Sequence, residues 1–444
     1  MALPKILLVT SELFPEFGYP TAGGGVRAQQ LYRSLKEEGF PVDLALARQS
    51  SEDKDLPEWA TRFLYRPEFL DGLIEQADPD VILGEGWEPL SHVGAEDTRL
   101  FIADCPGPLV LEHQHRGVGD LRANVHHKVR TLARMDAVLC PNDPMRYYLS
   151  GYLTLAGWKP EDSDRILRVP IGLPPDLPAR KAPDSNGPIV FVGGVSWAWH
   201  GSSDWLLDLA AELEKRDLGV LRIRMGKHPH HRLLGEVYET LPPKLLEHPR
   251  VSAGELTDWE TLVAELAQTP LAMEWSPKHL EREIASTLRI VTYLWCGVPV
   301  IVRPHLDLAK EIHEYGAGWV VDDWDETIGI LETVKTNPGE LESRSRAATR
   351  LARERHTWPE AHKDLSSLLK AATPRRKTGS FLDRSAKVFE SQEAEIHRLG
   401  SENEFLKKET ERFRKLQEEA QADAESFRSL RQKLPYKIWK RIAG

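Results

Sequence analysis

The sequence predicts an α/β chain of two successive parallel-sheet domains followed by a helical extension. Three observations carry this. Short apolar runs alternate with helical patterns through most of the 444 residues, the signature of strands joined by crossover helices. Residues 173–187, rich in Pro, Asp and Ser, interrupt the alternation once, as an interdomain linker does. From Ser380 the texture changes to a highly charged stretch with no proline before Pro435.

In the first half, residues 5–10 read as the first strand and 26–38 as the first helix. Further strands follow at 42–47, 81–84, 100–103 and 137–140. This half closes near 165–172, where Pro170 and Gly172 cut off an apolar run. A second alternation opens at 188–194, with strands near 220–225, 271–273, 298–302 and 319–321. Residues 358–371 read as a final helix. The expected divisions are 1–178, 187–372 and 380–444.

Composition narrows the function classes. A net charge of −10 argues against general nucleic-acid binding, which needs a basic face to release counterions. Cys105, Cys140 and Cys296 lie far apart in apolar stretches with no C-x-x-C pair, so they read as small core residues in a reducing compartment. A zinc or redox site has no support, and no metal or cofactor is expected. The apolar run near the N-terminus is too short for a secretion signal. No apolar stretch reaches the roughly 18 residues of a membrane span, so a cytoplasmic location is expected.

The most informative segment runs from His279 to Val302. Ser286 and Thr287 are cap residues, 288–295 reads as a buried helix, and Gly297 with Pro299 ends it before a short apolar strand. A polar loop feeding a helix N-terminus offers free N–H groups to an anion, and Arg289 adds a cation one turn in. That arrangement suits a diphosphate.

Ser286, Arg289, Tyr293, Leu294, Gly297, Pro299 and Val300 together resemble the donor-binding region of retaining, family-4-like glycosyltransferases with the GT-B fold, in which two Rossmann-like domains face each other across a cleft. The resemblance covers about residues 1–372 in layout and implies that the last helix crosses back to the first domain. Where that family has an acidic residue holding the nucleotide ribose, this chain has Thr292. Where it has an arginine and a lysine on the diphosphate, this chain has Gly194 and His200. Lys227 lies in a Gly-Lys-His-Pro turn similar to one that lines the family's base pocket.

Other candidates follow from position. Gly23, Gly24 and Gly25 lie between the first strand and first helix, where glycine lets a backbone approach a ligand, and Arg27 follows them. The same residues also suit a plain flexible loop. Asp104 stands at the carboxyl end of a strand, where open parallel sheets keep their ligands. It ranks first among groups facing the reacting carbon, ahead of His113 and His115. Glu281 matches the family's acidic residue beside the donor sugar. His228, His230 and His231 do not form a metal site, because Pro229 breaks the spacing and no carboxylate lies among them.

The reading is a metal-independent glycosyltransferase of hexosyl type, moving a sugar from a nucleotide diphosphate to a glycan or lipid-linked acceptor in surface polysaccharide assembly. Its rival is a GT-B-shaped binding or scaffold protein without catalysis. In the extension, Leu399, Leu406, Phe413, Ala420, Phe427 and Leu434 recur every seventh residue, a seam that pairs helices in a coiled-coil homodimer. A solvated single helix satisfies the pattern as well, since Glu402, Glu409 and Asp423 weaken the second apolar column. Lys433, Lys437, Lys440 and Arg441 mixed with aromatic and aliphatic residues suit an anionic membrane surface or a short docked helix. Deleting residues 380–444 is expected to give a folded monomer that ignores anionic liposomes. Light scattering and liposome sedimentation check this, and a truncated dimer contradicts it.

Overall fold

The computed structural model describes residues 3–20, 22–52, 54–94, 99–117, 119–181, 189–194, 200–225, 241–372, 407–415, 417 and 429. The chain forms two compact units, Met1–Lys377 and Thr378–Gly444. The first unit holds two wholly parallel sheets. One has seven strands: β1 (Ile6–Thr10), β2 (Val42–Ala47), β3 (Phe63–Tyr65), β4 (Val81–Glu85), β5 (Leu100–Asp104), β6 (Ala137–Cys140) and β7 (Ile166–Arg168), in the order β3-β2-β1-β4-β5-β6-β7. The other has six: β8 (Ile189–Val192), β9 (Val220–Arg224), β10 (Val251–Gly254), β11 (Leu271–Glu274), β12 (Val300–Val302) and β13 (Gly318–Val320), in the order β10-β9-β8-β11-β12-β13. This is the doubly wound, two-domain architecture that the sequence predicts.

The strands are apolar on both faces because helices cover both faces. In β1, Leu7 and Val9 enter one core while Ile6 and Leu8 enter the other. Phe191, Val300 and Val302 likewise separate from Val190, Val192 and Ile301 across the second sheet. Register is fixed by this alternation, with Ile6 opposite both Val42 and Val81.

Two crossings join the domains, and they touch. Leu173 on the outward crossing forms a parallel bridge with Thr357 on the return, its N–H donating to the His356 carbonyl at 2.8 Å. The returning chain packs Leu365 and Leu369 into the first domain's core, so the last helix does cross back. His362 interrupts that helix, leaving Trp358–Ala361 and Lys363–Ala371 as separate pieces.

Two strands lack a sequence signal. β3 is only Phe-Leu-Tyr at a sheet edge, and β10 is Val-Ser-Ala-Gly with no fully buried side chain. The first helix, α1 (Gly23–Glu37), starts earlier than its apolar pattern, so the three glycines form its first turn. In the second unit residues 407–415 are helical and Phe413 is exposed. The rest of the seven-residue seam and the basic end lie outside the described residues, as do Lys227, His228, His230 and His231.

Gly318 marks a tight backbone contact between strands of the second domain. A Cβ there would stand 2.1 Å from the Val300 carbonyl oxygen on β12. Gly318→Ala must push two backbones apart, and we expect it to cost roughly 1–3 kcal/mol, read as a lowered denaturation midpoint. An unchanged midpoint contradicts this packing.

Candidate functional site

Each sheet reverses its strand order once, between β1 and β4 in the first domain and between β8 and β11 in the second. Ligands of open parallel sheets sit beyond the carboxyl ends of the strands at such points. The residues at these two points therefore define the candidate site.

In the second domain Glu274 ends β11 and is almost fully buried. Arg289, in the first turn of the helix α2 (Leu288–Trp295), donates to it from Nε and Nη2, both at 2.8 Å. Ser276 donates at 2.7 Å, and His200 Nε2 stands 3.6 Å away. Burial alone would raise the carboxyl's pKa; the Arg289 charge, then His200, then hydrogen bonds from Arg289 and Ser276 hold it down to about 2. Nη1 of Arg289 donates to the Gly194 carbonyl at 3.0 Å, and the Tyr293 hydroxyl accepts from the Gly193 N–H at 3.1 Å. Gly194 itself has φ +60°, which suits glycine at this turn.

This corrects the expectation that Arg289 is an open counter-charge, since its fork is filled by the protein's own carboxylate. Thr292 is buried and its hydroxyl donates to the Leu288 carbonyl, which leaves its proton committed to the helix. Thr287 is buried too, and its Oγ1 has no hydrogen-bond partner among the described residues. Ser286 bonds Asp307, which also bonds Asn142 of the first domain.

The first domain's switch point carries carboxyls. Glu85 ends β4 and accepts from Thr10 at 3.1 Å. Gly24 fits against Glu12 and Glu85: an added Cβ would lie 2.7 Å from the Glu12 Cγ and 3.1 Å from a Glu85 oxygen. The N-terminus of α1, expected to face phosphate, thus faces two carboxyl groups. Burial lifts Glu12 to about 7 and, with the Glu12 and Asp104 charges, lifts Glu85 well above the ordinary range. Burial also lifts Glu88 and Glu112 to about 7. Lys128 is fully buried, its Nζ without a hydrogen-bond partner among the described residues but 4.3 Å and 4.6 Å from the ring centres of Tyr152 and Tyr148.

Asp104 and Arg27 form a second correction. They bind each other, Nε to Oδ2 at 2.9 Å and Nη2 to Oδ1 at 2.8 Å, and neither side chain is more than 2% exposed. Arg27 also donates to Gln30 and to the Pro170 carbonyl, and Gln30 lies 2.8 Å from His362. In this arrangement Asp104 does not face a reacting carbon and Arg27 does not meet a phosphate. They lock α1 to β5 and to both crossings.

The domains meet where the helices Leu109–Arg116 and Leu280–Ile284 approach each other. His115 stacks on His279 at 4.2 Å, and Asn142 donates to the Ile284 carbonyl at 3.0 Å. Glu281 is buried and bonded to its neighbour Arg282, so it is not an open acid beside a sugar. His113 lies nearby with Nδ1 3.1 Å from the Asn124 amide. The arrangement therefore gathers Gly194, His200, Thr287, Arg289 and Thr292 in one place, Gly24 and Gly25 in another, and His113 with Glu281 near the junction. Sequence reasoning missed Glu274, although a charged residue ending the apolar run 271–273 was a usable signal. It also missed Glu12, Glu85 and Glu88, which lie at or just beyond the ends of β1 and β4, and Lys128 on the helix Leu121–Leu132; only the topology brings them together. No group of three possible metal ligands gathers among the described residues, and no described helix is long and apolar enough to cross a membrane.

No protein-family pattern matches the sequence, and no curated protein does. Solved structures do match the fold. A sucrose-phosphate synthase from Thermosynechococcus elongatus superposes with a TM-score of 0.63 at 15% identity, over 82% of this chain and 98% of that one. Anabaena HepE in complex with UDP-glucose gives 0.56 at 16% identity, over 83% and 100%. WaaG, a glycosyltransferase involved in lipopolysaccharide biosynthesis, gives 0.55 at 12%, over 83% and 100%. The fold is GT-B, the two-domain architecture of these transferases.

The carboxyl cluster predicts a pH dependence. A carboxyl raised in the folded state binds more protons there than in the unfolded chain, so its contribution is full below about 4.5 and is lost as pH rises through about 7. Replacing it removes that loss. Relative to the unmodified protein, Glu88→Gln is expected to gain roughly 1–2 kcal/mol between pH 5 and pH 8, read by denaturation at both pH values. A pH-independent difference contradicts the assignment.

Proposed function

We propose that the chain is a glycosyltransferase that takes its sugar from a nucleotide diphosphate donor. The observation that carries this is the convergence of Gly193, Gly194, Thr287 and Arg289 at the switch point of the second sheet, where the N-terminus of α2 and a glycine turn can receive a phosphorylated ligand. The GT-B likeness supports it. HepE, one of the similar structures, was solved with UDP-glucose, and that donor class is carried to this chain as part of the proposal.

In this reading the nucleotide lies over β8 and β11, and its sugar reaches the junction near His113, His115, His279 and Glu281. The acceptor enters from the first domain, against Gly24, Gly25 and the carboxyl groups beside them. Charge developing on the leaving diphosphate is met by backbone N–H groups at the N-terminus of α2, without a metal ion. A hexosyl donor, retention of configuration, and a glycan or lipid-linked acceptor in surface polysaccharide assembly complete the proposal. The extension would pair two copies and hold them at an anionic membrane face.

The test is calorimetric titration of the full chain with UDP, GDP and ADP and their glucose conjugates in EDTA. We expect one nucleotide series to bind with a dissociation constant on the order of 1 µM–1 mM, unchanged by added Mg²⁺. If no nucleotide binds with or without metal, the transferase reading fails and a GT-B-shaped scaffold replaces it. Binding that requires metal overturns only the metal-independent part.

A further inference from the structure

Arg289 is the cation that a donor diphosphate would meet, and Glu274 already holds it. The pair is built in. Glu274 sits at the end of a buried strand, is 1% exposed, and is fixed by Ser276 and approached by His200 as well as by Arg289. Arg289 spends Nε and Nη2 on this carboxylate and Nη1 on the Gly194 carbonyl. Its charge is cancelled at ion-pair distance, so an arriving phosphate meets a neutral pair. Because the site is partly desolvated, the carboxylate also repels that phosphate more strongly than it would in water.

We propose that Glu274 is a specificity-determining residue of the donor site: it competes with the donor's phosphates for Arg289, so that free nucleoside diphosphate is held less well than the sugar-bearing donor. The inference rests on the nucleotide-sugar reading above. Its logic is charge balance. When the sugar's anomeric carbon–oxygen bond breaks, the electron pair stays on the diphosphate oxygen, and the leaving group carries more negative charge than the donor did. A fixed carboxylate beside it penalises the product more than the substrate. Selection of the donor then falls on its sugar and base, and the spent nucleotide leaves readily.

A purely positioning role predicts the opposite response to substitution. If Glu274 serves only to orient Arg289 for phosphate, removing its charge loosens the guanidinium and weakens binding. If it competes, removing its charge frees the cation and strengthens binding. The same substitution separates the two.

The experiment is titration of the full chain with UDP, UDP-glucose and inorganic pyrophosphate, the last being independent of base and sugar. Glu274→Gln should bind UDP and pyrophosphate about tenfold or more tighter than the unmodified protein, with a smaller gain for UDP-glucose. The gain should vanish when Arg289→Ala is also present. Affinity for UDP that is equal or lower in Glu274→Gln overturns the proposal. Where the unmodified protein binds nucleotide and Glu274→Gln gains nothing, this inference fails alone. Where no form binds any probe, the nucleotide reading fails and takes the inference with it. Melting curves establish that the variants fold. Should Glu274→Gln not fold, Glu274→Asp withdraws the carboxylate by one methylene, and the same direction of change is required of it.

Discussion

A carboxylate at the end of a buried strand cannot stay charged without a partner, and Glu274 obtains one from Arg289, one turn into the next helix but one. Much of the second domain's active edge follows from this pair. The guanidinium reaches back to the Gly194 carbonyl, which ties the turn after β8 to α2. Tyr293, on the same helix, receives the Gly193 N–H and holds the other end of that turn. Breaking one member of such a buried pair is expected to cost about 3–5 kcal/mol, because the remaining charge is left uncompensated. The pair therefore fixes the shape of the switch point as well as its charge.

The first domain repeats the device with other residues. Arg27 neutralises Asp104 and then fastens α1 to the outward crossing at Pro170, while Gln30 carries the contact on to His362 on the return. Burial, helped by the Arg27 charge, holds His362 well below the ordinary histidine range, so it is neutral and suited to sharing a hydrogen bond with an amide. The glycine turn at 23–25 opens the same helix, just ahead of Arg27. Leu173 and Thr357 pair side by side, which ties the two crossings to each other.

The sequence made the fold legible because hydrophobic periodicity records burial, and most strands here are buried on both faces. The helix at 288–295 is recovered to the residue, since its apolar run is bounded by cap residues and by Gly297. β3 and β10 escaped because short edge strands bury little and leave no pattern. The site was legible in position but not in pairing. Arg289, Arg27 and Asp104 stand where strand ends and helix starts place ligand groups, yet no spacing in the chain says that residue 27 meets residue 104, or 289 meets 274. Those partners are joined by sheet order alone. Glu281 shows a related difficulty: an acidic residue in a polar segment reads as exposed, whereas the short helix Leu280–Ile284 buries it against the first domain.

Taken together, the two pairings change the electrostatic character of the cleft. With Arg27 and Arg289 each cancelled, the first domain's switch point and the helix Leu109–Arg116 carry Glu12, Glu85, Glu88 and Glu112, and burial pushes Glu12, Glu88 and Glu112 up to about 7. A protonated carboxyl donates one hydrogen bond and accepts others, which matches a hydroxyl-rich ligand without attracting an anion. Such a wall is poorly suited to a polyanionic ligand, because each added negative charge would have to enter beside carboxyls whose charged form burial already disfavours. It suits uncharged hydroxyl groups instead.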